Sequence, residues 1–450
     1  MTRYPYSLLL SLLTLTFLPT PATWSATWYA APGGTGNGVS TTQPASVTFC
    51  IAKSQTGDTV TLADGVYTGP AGMIALADKQ GLVVQAANDG KVQIDGEGKY
   101  QPIRLSDCTG VIVEGVNACR SVGTVVELTR CANGIVRRVC AWDAADGNTS
   151  VLAVHYSTGP NLVEDCALWG TARKTASCSQ GGDYTTFRRC WFRWEGSTVV
   201  GPKMALSLVY NSKGGVAEDC IGTVDTSTGR MPKTYTLLGY DGKPWTGAGA
   251  GVYTDWRVQE MYGIFSADGF TTGTILQQRR GFAVFWRCLA YMTPTARGEV
   301  GCGAFFISSM GDVTVEDCSA IVGPRKAFLL GASPTRTPTP ANLTVRNIWA
   351  DGPVWVDPRW TAGGVLTGVK ALPFLASAGD LNHDGRVDVG DMGVMSAAWG
   401  VDYNIGNLGV LSANWGRTWT FPMDERIKAA MVQGGYPPIS VSQQVQEALR

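Results

Sequence analysis

The sequence predicts an all-β fold, a right-handed parallel β-helix in which coils of roughly 24–30 residues stack along one axis. Three observations predict it. One short apolar pattern recurs eight times along the chain, the polar positions inside that pattern alternate in charge, and short apolar runs broken by Gly, Asn and Ser turns take the place of helical periodicity.

The recurring segment is an apolar–x–apolar strand, two polar residues, then a cysteine or aliphatic residue. It reads V-I-V-E-G-V at 111–116, I-V-R-R-V at 135–139, L-V-E-D-C at 162–166, T-F-R-R-C at 186–190, V-A-E-D-C at 216–220, V-F-W-R-C at 284–288, V-T-V-E-D-C at 313–318 and L-T-V-R-N-I at 343–348. The closing residues, Val116 to Ile348, are spaced 23, 27, 24, 30, 68, 30 and 30 apart. A second strand precedes most segments, at Ile103–Leu105, Val125–Leu128, Leu152–Val154, Leu206–Val209 and Ala304–Ile307. Coils stacked in register set like strands side by side, about 4.8 Å apart.

The two polar positions read Arg137-Arg138, Glu164-Asp165, Arg188-Arg189 and Glu218-Asp219, and after the long gap Trp286-Arg287, Glu316-Asp317 and Arg346-Asn347. Like charges one strand apart repel, so alternation turns a liability into a ladder of cross-coil ion pairs. Each exposed pair contributes at most ~1 kcal/mol, and the ladder acts mainly on register. At the closing position Cys166, Cys190, Cys220, Cys288 and Cys318 interchange with Val and Ile, which reads as a column of small buried thiols. Cys108 and Cys131 occupy matching turns of consecutive coils and are the candidate disulfide.

The 450 residues carry no net formal charge and only 16% charged residues, which gives no electrostatic reason to expect nucleic acid. Residues 1–25 read as a secretory signal, with Arg3 ahead of a short apolar run, Leu8 to Phe17, and small residues Thr23 and Ser25 before the cleavage point. That run is too short to span a bilayer, so export to the medium or the cell surface is expected, with no membrane span after cleavage. The helical body is placed at 26–375, with an insertion at 221–283, a calcium segment at 376–417 and a tail at 418–450.

W-Y-A-A-P-G-G-T-G at 28–36 leads into a short helix candidate, Gln43 to Lys53, and then G-D-T-V-T-L-A-D-G-V-Y-T-G at 57–69. This opening resembles that of right-handed β-helix proteins of the pectate-lyase-like superfamily, over roughly residues 28–360. The resemblance implies an N-terminal capping helix over the open end of the core. It also implies action on an extracellular polysaccharide or cell-surface glycan, as a polysaccharide lyase or glycoside hydrolase. The paired Asp-Asp of polygalacturonases and the N…E-x-E…K signature of alginate- and chondroitin-type lyases are both absent, and R-M-P-K at 230–233 lacks the final Arg of the R-x-P-x-R of pectate lyases.

The 68-residue gap reads as a loop excursion from one face, because the V-x-x-D-C pattern is missing there. It holds Arg230, Lys233 and Arg257 as candidate catalytic cations, and Trp245, Tyr253 and Trp256 as candidate rings for stacking on an acidic sugar chain. Of the two histidines, His383 falls in the calcium loop, and alternation sets His155 on the face opposite Leu152 and Val154, a surface or structural position.

G-D-L-N-H-D-G-R-V-D-V-G-D at 379–391 spaces Asp380, Asn382, Asp384, the Arg386 carbonyl, Asp388 and Asp391 as ligands of one Ca²⁺ around the sharp turn at Gly385. With M-G-V-M-S-A-A-W-G at 392–400 and its partial echo at 408–416, the segment resembles a dockerin whose second loop is reduced to Asp402, Tyr403 and Asn404. That implies a small α-helical module and a cohesin-like scaffold as partner, or else an intramolecular brace. The alternative for the whole chain is a structural cell-surface or filament-forming protein that self-assembles and has no catalytic activity.

Overall fold

In the computed structural model, residues 25–194 are described continuously. Beyond them the structure describes residues 197–198, the strands from Met204–Val209 to Lys370–Ala371, residues 214, 220, 318 and 348, and residues 392–393 and 395–396. The chain is a parallel β-solenoid. Among the described residues, sheet A stacks thirteen strands, from Thr27–Ala30 to Val365–Thr367; sheet B stacks twelve, from Gly65–Tyr67 to Lys370–Ala371; sheet C stacks eleven, from Ile74–Ala77 to Val354–Val356. Every pairing between strands is parallel and joins like strands of adjacent coils. Among the described residues, no helix is long and apolar enough to cross a membrane.

The recurring segments form sheet A. Val113, Val136, Val163, Phe187 and Ala217 stand in one register column and are buried in the core. The second strands form sheet C, where Leu105, Leu128 and Val154 fill the same interior. Sheet B begins directly after the closing residue and adds Ala118, Ala141, Leu168 and Phe192. A single residue in the left-handed conformation turns the chain from sheet A to sheet B: Gly115 (φ 74), Arg138 (φ 52), Asp165 (φ 53) and Arg189 (φ 48). The second polar position of each segment is therefore the corner itself.

Helix α1 spans Val47–Lys53, shorter than the stretch expected from the sequence. The Ser46 side chain accepts from Phe49 N at 3.2 Å and caps its start. Val47, Cys50 and Ile51, spaced to share one face, are buried in the core.

Three expectations need correction. First, the gap is not one loop excursion. Trp256–Gln259, Tyr262–Phe265 and Gly273–Gln278 are strands of sheets A, B and C, so a further coil lies inside it. In the sequence Val258 is followed by Gln259, Glu260 and Met261, one charged residue and no cysteine, in place of the two charged residues and cysteine that mark the plainest segments, which hid that coil. Second, the charge alternation does not carry directly across the gap: Glu218 stacks on Gln259, and Gln259 on Trp286. Third, Cys108 and Cys131 form no disulfide; all ten described cysteines are free and buried. In-register stacking spaces equivalent residues by about 4.8 Å, more than the ~3.8 Å Cβ separation of a disulfide.

Where the coils are continuous, the charge ladder is present. Arg188 Nη1 lies 3.4 Å from Glu164 Oε1, Arg189 Nη2 2.8 Å from the same atom, and Arg189 Nε 2.6 Å from Asp165 Oδ1. One coil set earlier, Arg137 pairs with Glu114, and Arg138 Nε reaches back to Asp89 Oδ2 at 2.6 Å.

Candidate functional site

The outer face of sheet C carries the least ordinary polar chemistry among the described residues. Alternation points Leu128, Val154 and Leu206 into the core. The column between them faces outward, running Ala75, Arg104, Glu127, Ala153, Ser177 and Ser207 over six coils. Ala75 and Arg104 are exposed as expected for that face, and Glu127 is half-buried. From the next coil onward the column is enclosed: Ala153 and Ser177 are each 1% exposed, and Ser207 is 0% exposed. Small side chains here leave a floor close to the backbone.

Ser150 and Ser177 hydroxyls lie 2.9 Å apart, while Ser207 Oγ is buried and makes no hydrogen bond. An orphaned buried hydroxyl is unfavourable and marks a place where a partner belongs. Lys174 stacks on Ser150 at the entry to its strand, and burial, reinforced by Arg173, pulls its ammonium down to about 8. An amine in that range is neutral often enough to accept a proton.

His155 stacks on Ser179 in the next outward column. Its Nδ1 is 3.0 Å from Ser179 Oγ and 3.3 Å from Ser179 O. A carbonyl oxygen only accepts, so the Nδ1–H tautomer is the one that uses this contact, and in that tautomer Nε2 is the basic atom. Burial lowers the imidazole's pKa more than the Ser179 carbonyl raises it, which keeps the ring neutral at neutral pH. On the preceding strand, Glu127 accepts from Gln101 Nε2 at 3.0 Å. The face thus offers a neutral imidazole, an amine whose charge is weakened by burial, a carboxylate and four hydroxyls.

A tryptophan ladder on the outer face of sheet B is the other prominent group. Trp142 and Trp169 stack at 4.9 Å with an interplanar angle of 8°, and Trp169 meets Trp191 at 6.2 Å. Sugar stacking needs an open ring face. Here neighbouring rings cover each other's faces, and the Arg193 guanidinium sits 5.3 Å over Trp191. The ladder covers the buried Cys140 and Ala167 and reads as packing.

The site residues expected from the sequence fall differently. Arg230, Lys233, Trp245 and Tyr253 lie outside the described residues. Trp256 and Arg257 do not stand on a loop; they begin a strand of sheet A, stacked on Gly215 and Val216. Asp380, Asn382, Asp384, Arg386, Asp388 and Asp391 lie outside the described residues, beyond which 392–393 and 395–396 are helical and Met395 is buried. Among the described residues no group of three or more His, Cys, Asp or Glu is placed to hold a metal. Sequence reasoning set His155 on the outer face, where it is. It passed over Lys174 and Ser177, whose only signal is the run K-T-A-S-C-S at 174–179, and Ser207, a single serine inside the apolar run M-A-L-S-L-V at 204–209.

No family model matches the chain, and no characterised protein matches it in sequence. Among solved structures, it overlaps pectate lyase Pel9A with a TM-score of 0.48 at 13% identity, covering 77% of this chain and 79% of that one. The catalytic domain of a GH87 α-1,3-glucanase overlaps at 0.47 and 9% identity, covering 78% and 71%. A rhamnogalacturonan lyase overlaps at 0.45 and 12%, covering 76% and 84%. Overlaps of this size say nothing about the chemistry of this chain.

Proposed function

We propose that this is an exported protein that binds an extracellular polysaccharide, acidic in character, across the outer face of sheet C, and that it cleaves the chain there by β-elimination. The observation that carries the reading is the enclosure of Ser177 and Ser207 on what should be the solvent side of the sheet, with the Ser207 hydroxyl unpaired and Lys174 on the same strand as Ser177. Hydroxyls and an ammonium suit the hydroxyls and carboxylate of a uronate residue. Elimination needs a base for the proton beside the carboxylate and a cation to stabilise the charge that develops. Lys174 and His155 Nε2 are the basic atoms this face supplies.

The wider reading adds a right-handed coil, α1 as the lid on its N-terminal end, cleavage of residues 1–25 on export, and a Ca²⁺ in the loop from Asp380 to Asp391. The dockerin-like segment would then dock on a cohesin-like scaffold or brace the solenoid.

The test is a panel of polyuronates and neutral glycans, read by the ultraviolet absorbance of unsaturated product and by retardation in glycan-containing gels. Product from a polyuronate that is lost in both Lys174→Ala and His155→Ala, with binding retained, supports the reading. Product unaffected by either substitution places the chemistry elsewhere. Absence of both binding and product for every glycan overturns the proposal and favours the structural alternative.

A further inference from the structure

Asp58, between α1 and the second strand of sheet A, is 5% exposed. The ion pairs among the described residues leave it out. An aspartate is rarely buried this far unless a charge pairs with it. Here three neutral N–H groups hold the carboxylate instead. Gln55 N, in the turn after α1, donates to Oδ2 at 2.9 Å, and the Trp28 ring donates its Nε1–H to the same oxygen at 3.0 Å. Ala26 N donates to Oδ1 at 2.7 Å. Burial pushes the Asp58 carboxyl up, but these hydrogen bonds and the charge of Lys79 more than offset it and keep it ionised. Lys79 acts from a distance, since its Nζ donates to Ser54 O at 2.9 Å.

Ala26 is also the residue that follows the expected cleavage point, Ser25. Strand pairing fixes its place. Thr59 N donates to Ala26 O at 2.9 Å, and Thr27–Ala30 runs in register with Thr59–Leu62. Ser25 and Ala26 are exposed, so a group at this nitrogen meets water on one side and Asp58 on the other. In the uncleaved chain the nitrogen is a neutral amide with one hydrogen. In a chain that starts at Ala26 it is an ammonium with three. The 2.7 Å contact already has the length of a charge-assisted N–H···O bond.

We propose that removal of residues 1–25 creates the missing cation: the α-ammonium of Ala26 pairs with Asp58 and fastens the first strand of sheet A to the turn after α1. The proposal rests on the reading that the chain is cut between Ser25 and Ala26 on export. The export peptidase adds water across that amide. The C–N bond breaks, the water oxygen stays on Ser25 as part of a carboxylate, and both water hydrogens end on the Ala26 nitrogen. An ion pair with one partner buried is stronger than one in open water, and the uncleaved chain lacks it. Pairing holds the amine above its ordinary range of about 7.7–8.0. The pair contributes in full between the ordinary carboxyl value of 3.8 and that range. It is lost as the pH rises through the raised amine value, or falls through the lowered Asp58 value.

The experiment compares the chain from Ala26 to Arg450 carrying a free amine with the same chain acetylated at Ala26, which keeps an N–H and removes the charge. Each is made with Asp58 and with Asp58→Asn. Acetylation is expected to lower the melting temperature of the Asp58 chain and to leave that of Asp58→Asn nearly unchanged. The pH profile of Ala26 labelling by an amine-reactive reagent, mapped by mass spectrometry, is expected at higher pH in the folded wild type than in the unfolded chain. One pKa unit there means about tenfold less reactive amine at neutral pH. Acetylation that costs as much with Asp58→Asn as with Asp58 would overturn the proposal. So would an Ala26 amine that titrates alike in the folded and unfolded wild type, a result that does not need the variant to fold. Sequencing the N-terminus of the exported protein tests the cleavage separately. A start at Ala26 supports it, and any other start overturns the proposal at that step, whatever the titration shows for the pair.

Discussion

Replacing Lys174 with methionine should make the protein more stable near neutral pH. Burial and Arg173 lower the Lys174 ammonium from its ordinary 10.5 to about 8. Each pKa unit is 1.36 kcal/mol of preference for the neutral form, so keeping the charge in the folded state costs at most about 3 kcal/mol. Below the folded value both states are protonated and the full cost is present. Between about 8 and 10.5 the unfolded chain still binds a proton that the folded chain has released, so stability rises with pH; above 10.5 the cost is gone. Methionine keeps the apolar stem and removes the charge. Urea unfolding of wild type and Lys174→Met across that pH range should show the variant more stable at neutral pH, with the gap closing as the pH rises through the window. A gap that does not change with pH, or a wild type more stable at neutral pH, would refute the argument that this amine is held against its burial. The same variant should lose turnover of the acidic glycan, since a group retained at such a cost is a candidate for chemistry.

Three further substitutions test the frame around the site. Phe187→Ala, in the sheet A column and edge-on to Phe192 at 5.8 Å, should cost about 3–5 kcal/mol in urea unfolding. Asn161→Ala removes the acceptor of Gly134 N at 3.0 Å and a donor to Cys131 O at 3.1 Å, both buried, and should cost about 1–3 kcal/mol and speed amide exchange at Gly134. Burial raises the Asp95 carboxyl, but hydrogen bonds from Arg120 and Glu97 N more than offset it and leave it below its ordinary 3.8. Its contribution is complete above 3.8 and is lost as the pH falls through the lower folded value, so Arg120→Met should move acid unfolding to higher pH.

The repeat was legible because its core positions obey one rule. Val113, Val136 and Val163 are apolar, alternate with polar neighbours and end in a small apolar residue, coil after coil. Sheet B was not located from the sequence because its outward positions are not polar: Trp169, Trp191 and Cys140 face away from the core and are buried by one another, so alternation is lost. The coil through Val258 was missed for a related reason, since Gln259 takes its place in the sheet A stack without a charge and no cysteine follows it in the sequence. The site was missed because Ser177 and Ser207 look like ordinary exposed strand positions. Only the structure shows that this stretch of the solvent face is enclosed.

The corner residues show how the solenoid separates register from function. Arg138, Asp165 and Arg189 hold left-handed backbone that glycine would adopt freely, at about 1 kcal/mol each. Their cross-coil ion pairs are partly exposed and return at most about that much, so stability alone does not account for them. What a glycine corner would not supply is discrimination between coils. A strand displaced by one coil would set arginine on arginine and aspartate on aspartate, whereas glycine corners would accept the error. Charge on sheet A therefore orders the stack. Sheet C, relieved of that task, carries serine and alanine outward at positions where no cross-coil charge is needed. Neutral, small and enclosed, those positions add little to register: Ser177 turns its hydroxyl to Ser150 at 2.9 Å, and the Ser207 hydroxyl is left without a partner, the feature on which the proposed binding rests.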